Sequence, residues 1–169
     1  MKSLICTMAA AIALVAQSVA ALAGGPPKFA DYPVKVYAGK PANPRLVTQD
    51  LRDQRELFSA AASEGKIDAA GHYFVVKLPC GSACAAPHLL DARTGRITSF
   101  FTISGWREVS NDFDPVASRA SSRLIVFRGA RNEAGINGNH FYLVEDGGKL
   151  KHLYTQDTEA NFETSPKIE

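Results

Sequence analysis

Residues 70–96, Ala-Gly-His-Tyr-Phe-Val-Val-Lys-Leu-Pro-Cys-Gly-Ser-Ala-Cys-Ala-Ala-Pro-His-Leu-Leu-Asp-Ala-Arg-Thr-Gly-Arg, decide the fold of this chain. His72 to Leu78 is rich in aromatic and β-branched residues and is bounded by Gly71 and Pro79, so it reads as a strand. Pro87 to Asp91 reads as a second, shorter strand. Ala92-Arg93-Thr94-Gly95 supplies a turn, with Asp91 expected to make a turn hydrogen bond and Arg93 and Arg96 to be surface charge. Arg96 to Phe101 runs away from that turn as a third strand.

Cys80 and Cys84 sit between the first two strands. On one straight strand their Cα atoms would lie about 13 Å apart. A disulfide needs less than about 7 Å. A bridge therefore requires the chain to turn at Gly81-Ser82-Ala83, residues small enough to do so. In an oxidising compartment the expected outcome is a structural disulfide that clamps the loop. A second reading stays open. Cys80, Cys84 and His88 form a Cys-x3-Cys-x3-His run, a ligand set suited to copper or zinc. That run loosely resembles the copper-handling thioredoxin-like proteins, whose motif lies at a loop–helix junction, whereas strands follow it here.

The Ala70-Gly71-His72-Tyr73 strand, the Cys80-Gly81-Ser82-Ala83-Cys84 loop, the Asp91-Ala92-Arg93-Thr94-Gly95 turn and the Ser122-Arg123-Leu124-Ile125 strand together resemble an uncharacterised family of small exported bacterial proteins. The resemblance covers roughly residues 45–145. Leu78-Pro79 departs from it, standing where an aromatic residue and a glycine are expected. It supports the fold reading and transfers no catalytic residues.

At the N-terminus Lys2 precedes an apolar run from Leu4 to Ala16, and Ala21-Leu22-Ala23 supplies a small-x-small cleavage pattern before Gly24. Ser18-Val19-Ala20 is a second such pattern. Residues 1–23 are thus expected to be a signal peptide, carrying away Cys6 and leaving Cys80 and Cys84 as an even pair. The competing reading, an uncleaved anchor over 3–22, is weakened by Gln17-Ser18 and many alanines. The expected location is periplasmic or secreted, with no membrane span after cleavage. The chain holds 19 basic and 17 acidic residues, and no basic patch with interleaved aromatics, so nothing argues for nucleic acid.

Residues 24–154 are expected to form one β-rich domain and 155–169 a polar, loose tail. Val34 to Tyr37 alternates as an edge strand would. Thr48 or Asp50 caps a helix over about 50–63 whose apolar side is Leu51, Leu57, Phe58, Ala61 and Ala62, and Gly65 ends it. Ser122 to Phe127 is a strong strand, Gly129 to Asn139 reads as a Gly/Asn loop, and 140–154 reads as a hairpin around Asp146-Gly147-Gly148. Trp106, the only tryptophan, reads as a core plug. Strand, long loop, strand, tight turn and strand therefore occur twice, from His72 and from Arg123. The expected class is mainly β (α+β): one antiparallel sheet, or a small sandwich, of two related hairpin units with one covering helix.

The sequence holds no Gly-x-Ser-x-Gly elbow, His-Glu-x-x-His, phosphate loop or dinucleotide fingerprint. His72 and His140 each open a strand and His152 lies within one, so a triad or three-histidine site exists only on paper. The function expected is a non-catalytic exported module that binds a protein or small ligand of the cell envelope, as a monomer and without a cofactor. Its presenting loops would be 79–87 and 129–139, with Gly81, Ser82, Asn137 and Asn139 as candidate contacts. The alternative is a metal- or redox-handling protein built on Cys80, Cys84 and His88.

Overall fold

The computed structural model describes residues 25–106, 109, 113–162 and 168–169. The expected signal peptide, 1–23, lies outside the described residues. Strand β1 (Tyr73–Pro79) pairs antiparallel with β2 (Cys84–Asp91) from Tyr73↔Asp91 to Pro79↔Ala85. The second strand begins at Cys84 rather than Pro87, because the hairpin zips up to the cysteines. β3 (Ile97–Ser99) then pairs with residues 88–90 of β2 and stops short of Phe101. Pro87 has no N–H to offer a second neighbour. The partners on that side of β2 are interrupted there: β3 covers 88–90 and β4 (Ile103–Ser104) covers 84–85.

The second meander is β6 (Leu124–Arg131), β7 (Ala134–Val144) and β8 (Leu150–Asp157), preceded by the short β5 (Val116–Ser118) that pairs with β6. The stretch 129–139 is not a loop. It is the end of a hairpin in which Arg131 pairs with Ala134 across the two-residue turn Asn132-Glu133. Both turn residues have positive φ, 50° and 59°, the signature of a type I′ turn. That turn matches the right-handed twist of its strands, so it closes a hairpin even without the usual glycine.

β4 joins the two meanders. Ser104 faces Cys84 of β2 on one side and Ala130 of β6 on the other. Gly129 (φ 143°) permits this approach, since a Cβ there would lie 2.6 Å from the Ser104 carbonyl oxygen. The result is a single eight-stranded sheet, ordered β1-β2-β4-β6-β7-β8, with β3 on β2 and β5 on β6. Of the two architectures expected, the single antiparallel sheet is the one adopted.

The strand period of two sorts apolar side chains onto two faces. Tyr73, Leu89, Ile103, Ile125, Phe127, Tyr142 and Val144 gather in one cluster, with Phe100, Phe101 and Trp106 packed against it. On the other face of β1 and β2, Phe74, Val76 and Leu90 pack against Leu51 and Phe58 from the helical segment. On the other face of β6 and β7, Leu124, Val126 and Phe141 are covered by Phe29 and Ile168.

The covering helix is two helices, α1 (Gln49–Asp53) and α2 (Arg55–Glu64), broken at Gln54. Thr48 is the cap: its Oγ1 accepts the Leu51 N–H at 3.3 Å, and Gly65 in the left-handed conformation (φ 68°) ends α2. Leu57 was expected inside but is 43% exposed. It sits about 100° around the helix from Phe58, at the edge of the Phe58–Ala61–Ala62 stripe. Val34 to Tyr37 is not an edge strand. Instead of a ladder it makes isolated bonds, Val34 N–H to Ser121 O and Tyr37 N–H to Gly71 O. The expected tail is also docked where described: β8 runs to Asp157, Phe162 is buried, and Phe29 N–H donates to Glu169 O at 2.7 Å. Among the described residues, no helix is long and apolar enough to cross a membrane.

Candidate functional site

Cys80 and Cys84 form a disulfide at the tip of the β1–β2 hairpin, with their Cα atoms 5.2 Å apart. The turn between them uses left-handed backbone at Gly81 (φ 127°) and Ala83 (φ 47°). Gly81 and Ser82 project into solvent. The neighbouring segment after β4 is pinned to this tip, because Gly105 N–H donates to Ala83 O at 3.1 Å.

Since β4 holds the two hairpins side by side, their tips end together. Between them lies an open depression of about 760 Å³, bordered by the disulfide loop, Ser104, Trp106 and Glu133. Trp106 serves two roles. It packs against the main apolar cluster, as a core plug should, and it also forms a wall of the depression. Behind it stands an aromatic row: Trp106 to Phe113 at 5.6 Å and Phe113 to Phe162 at 5.3 Å between centroids. The Arg128 guanidinium lies 4.3 Å from the Phe113 centroid and donates to the carbonyls of Asp114 and Phe162. Burial holds the Arg128 pKa below its ordinary value.

Among the described residues, Glu133 is the one charged side chain bordering the depression. It is exposed, and its carboxylate has no partner among the described residues. Nothing in the sequence singled it out, because an Asn-Glu pair is a weak turn signal.

Of the four candidate contacts, Gly81 and Ser82 border the depression and the two asparagines support it or lie elsewhere. Asn137 is in β7 and donates from Nδ2 to Gly105 O at 3.1 Å, so it props the wall that carries Trp106. Asn139 is only 1% exposed and donates to Gln156 Oε1 across to β8. Both lie in β7 rather than in the expected loop, and the strand geometry turns them inward.

His88 is buried on β2 with its ring edge-on to Phe58 at 5.6 Å between centroids, and its Nδ1 bonds Ala86 O at 2.9 Å. Burial lowers its pKa. Along the strand it lies about 13 Å from Cys84. The fold therefore does not gather the Cys-x3-Cys-x3-His run, and the disulfide occupies both sulfur atoms. Among the described residues, no group of three or more His, Cys, Asp or Glu side chains could hold a metal ion.

The other histidines part company. His140 and His152 meet through Thr155, whereas His72 Nε2 accepts from the Arg93 guanidinium at 2.6 Å. Burial, reinforced by Arg93, lowers the His72 pKa. Asp91 makes its turn bond as expected, accepting the Arg93 N–H at 2.8 Å. Asp68 stands out as a half-buried carboxyl whose pKa is raised to about 6, desolvation outweighing the hydrogen bond it accepts from Val75 N–H. No family model, no curated protein and no solved structure matches this chain.

Proposed function

We propose that this protein is an exported binding module whose recognition surface is the depression at the paired hairpin tips. The observation that carries this reading is the convergence there of the disulfide loop, Trp106 and Glu133. A half-buried indole supplies apolar area at little entropic cost, and an unpaired carboxylate and the Ser82 hydroxyl supply polar contacts. The clamp holds the loop in one shape before a ligand arrives, which lowers the ordering cost of binding.

The backbone supports the same end of the molecule. Of the six described non-glycine residues that hold positive φ, three, Ala83, Asn132 and Glu133, lie on the two tips, and Ala70, Glu159 and Ala160 lie elsewhere. Such positions cost on the order of 1 kcal/mol each and concentrate where function needs a fixed shape. The disulfide suits an oxidising compartment, and the order of Lys2, the apolar run and Ala21-Leu22-Ala23 suits export.

Two measurements test the reading. Mass spectrometry of the protein from its native cells should find a chain beginning near Gly24; an intact chain carrying Met1 in the membrane fraction would exclude export. A photo-crosslinking residue placed at Ser82 or Glu133 should capture the same envelope component, while one at Ser63 on α2 should not. Equal yields from all three positions would remove the depression as the recognition surface.

A further inference from the structure

A second depression lies apart from the hairpin tips, where residues 43–46 cross in front of the helices. It measures about 360 Å³ and is bordered by Asn43, Pro44, Leu46, Arg52, Arg55 and Ser59. That volume falls at the small end of ligand sites. Among the described residues, its polar lining comes from two arginines, one serine and one asparagine, with no acidic residue.

The two arginines are held differently. Arg52 is fixed in place: its Nε and one terminal nitrogen donate to Gln49 Oε1 at 3.2 and 3.1 Å, and the other terminal nitrogen donates to Leu46 O at 3.4 Å. Arg55, just past the break at Gln54, has a guanidinium with no partner among the described residues. The nearest acidic residues in sequence, Asp53 and Glu56, lie outside the lining, and Asp53 accepts from Gln49 Nε2 at 2.6 Å. Two cations three residues apart on a helical segment repel each other, and an anion between them reverses the sign of that interaction.

We propose that this depression binds a phosphate group. Two guanidinium groups match the charge of a phosphate dianion, and the unpartnered planar fork of Arg55 matches its oxygens. The Ser59 hydroxyl and the Asn43 amide add donors from the helix and from the facing segment. The volume exceeds that of the anion alone and leaves room for a small group that carries it.

The test titrates inorganic phosphate into the intact protein at constant ionic strength, with chloride and acetate as the other arms, and follows the melting temperature and the amide resonances of residues 52–59. Phosphate should raise the melting temperature saturably and shift those resonances, and chloride should do neither. Arg55→Ala should weaken the response by about tenfold or more, the worth of one charge-assisted hydrogen bond, with a melting temperature in chloride no lower than that of the unaltered protein. Arg55→Lys should recover part of it, since the charge remains and the fork does not. Arg52→Ala should weaken it too, with a lower starting melting temperature because Leu46 O loses its donor. An equal response to chloride, a response in Arg55→Ala equal to that of the unaltered protein, or acetate binding as tightly as phosphate would each overturn the assignment.

Discussion

His140 and His152 are joined through one hydroxyl: Thr155 Oγ1 lies 3.0 Å from His140 Nδ1 and 2.8 Å from His152 Nε2. The far side of the buried ring sets the direction of the chain. His140 Nε2 faces two carbonyls, Gly129 O at 2.9 Å and Ile136 O at 3.1 Å, so that nitrogen carries the proton and donates. Its Nδ1 then accepts from Thr155, and Thr155 accepts from His152. Burial, with Arg131 and His152 adding, holds the His140 pKa below its ordinary value. The neutral ring is therefore part of the folded state. A histidine whose folded pKa is depressed stabilises above its unfolded pKa, and that stability is lost as pH falls below about 6.5. Imidazole nitrogen resonances should show His140 as the neutral Nε2–H tautomer at about pH 7.5. A charged ring at that pH would contradict the hydrogen-bond direction.

Asp68 acts in the opposite sense. Its folded pKa of about 6 exceeds the model-peptide carboxyl value, so its contribution is full below pH 3.8 and is lost as pH rises through 6. Asp68→Asn keeps an oxygen for the Val75 N–H and removes the half-buried charge. Allowing for partial exposure, the variant should gain on the order of 1 kcal/mol over the unaltered protein at pH 7.5 and little at pH 4. Urea unfolding at the two pH values checks this. A gain equal at both would show that the charge is not responsible.

Glu133 occupies the second position of a type I′ turn, where glycine is the residue of least strain. Glu133→Gly should raise stability by about 1 kcal/mol while removing the one charge that borders the tip depression among the described residues. Thermal unfolding reads the first effect, and crosslinking yield from Ser82 reads the second. A variant that is less stable would mean that the carboxylate has a stabilising partner.

The Cys80–Cys84 ring is short, so its loss should cost only about 2 kcal/mol. The Cys80→Ser/Cys84→Ser protein should fold, with a lower denaturant midpoint and a mobile tip. Thiol titration of the denatured, unreduced mature protein should find no free thiol. Finding both cysteines free in protein from its native compartment would restore the reading as a metal or redox site.

What the sequence by itself determined is everything carried by local chemistry. The aromatic and β-branched content of 72–78, the Gly-Ser-Ala turn between cysteines, a cap at Thr48 or Asp50 and the Gly65 stop are read within a few residues, and the structure takes each of them up, with Thr48 as the cap. The break at Gln54 and the outward Leu57 depend on how the helical segment seats on β1 and β2, and no periodicity announces them. Only the tertiary structure decided how the two meanders join. β4 is two residues long, too short to carry a pattern, and it is a strand because the edges of two hairpin tips offer it partners on both sides. The turn at Asn132-Glu133 was hidden for a similar reason: it lacks glycine, and the pairing of the flanking strands, from Leu124↔Leu143 to Arg131↔Ala134, holds it closed against its local strain. The depression at the tips is a product of both events. Its walls come from residues far apart in the chain, and long-range strand pairing, which local sequence does not encode, is what brings them together.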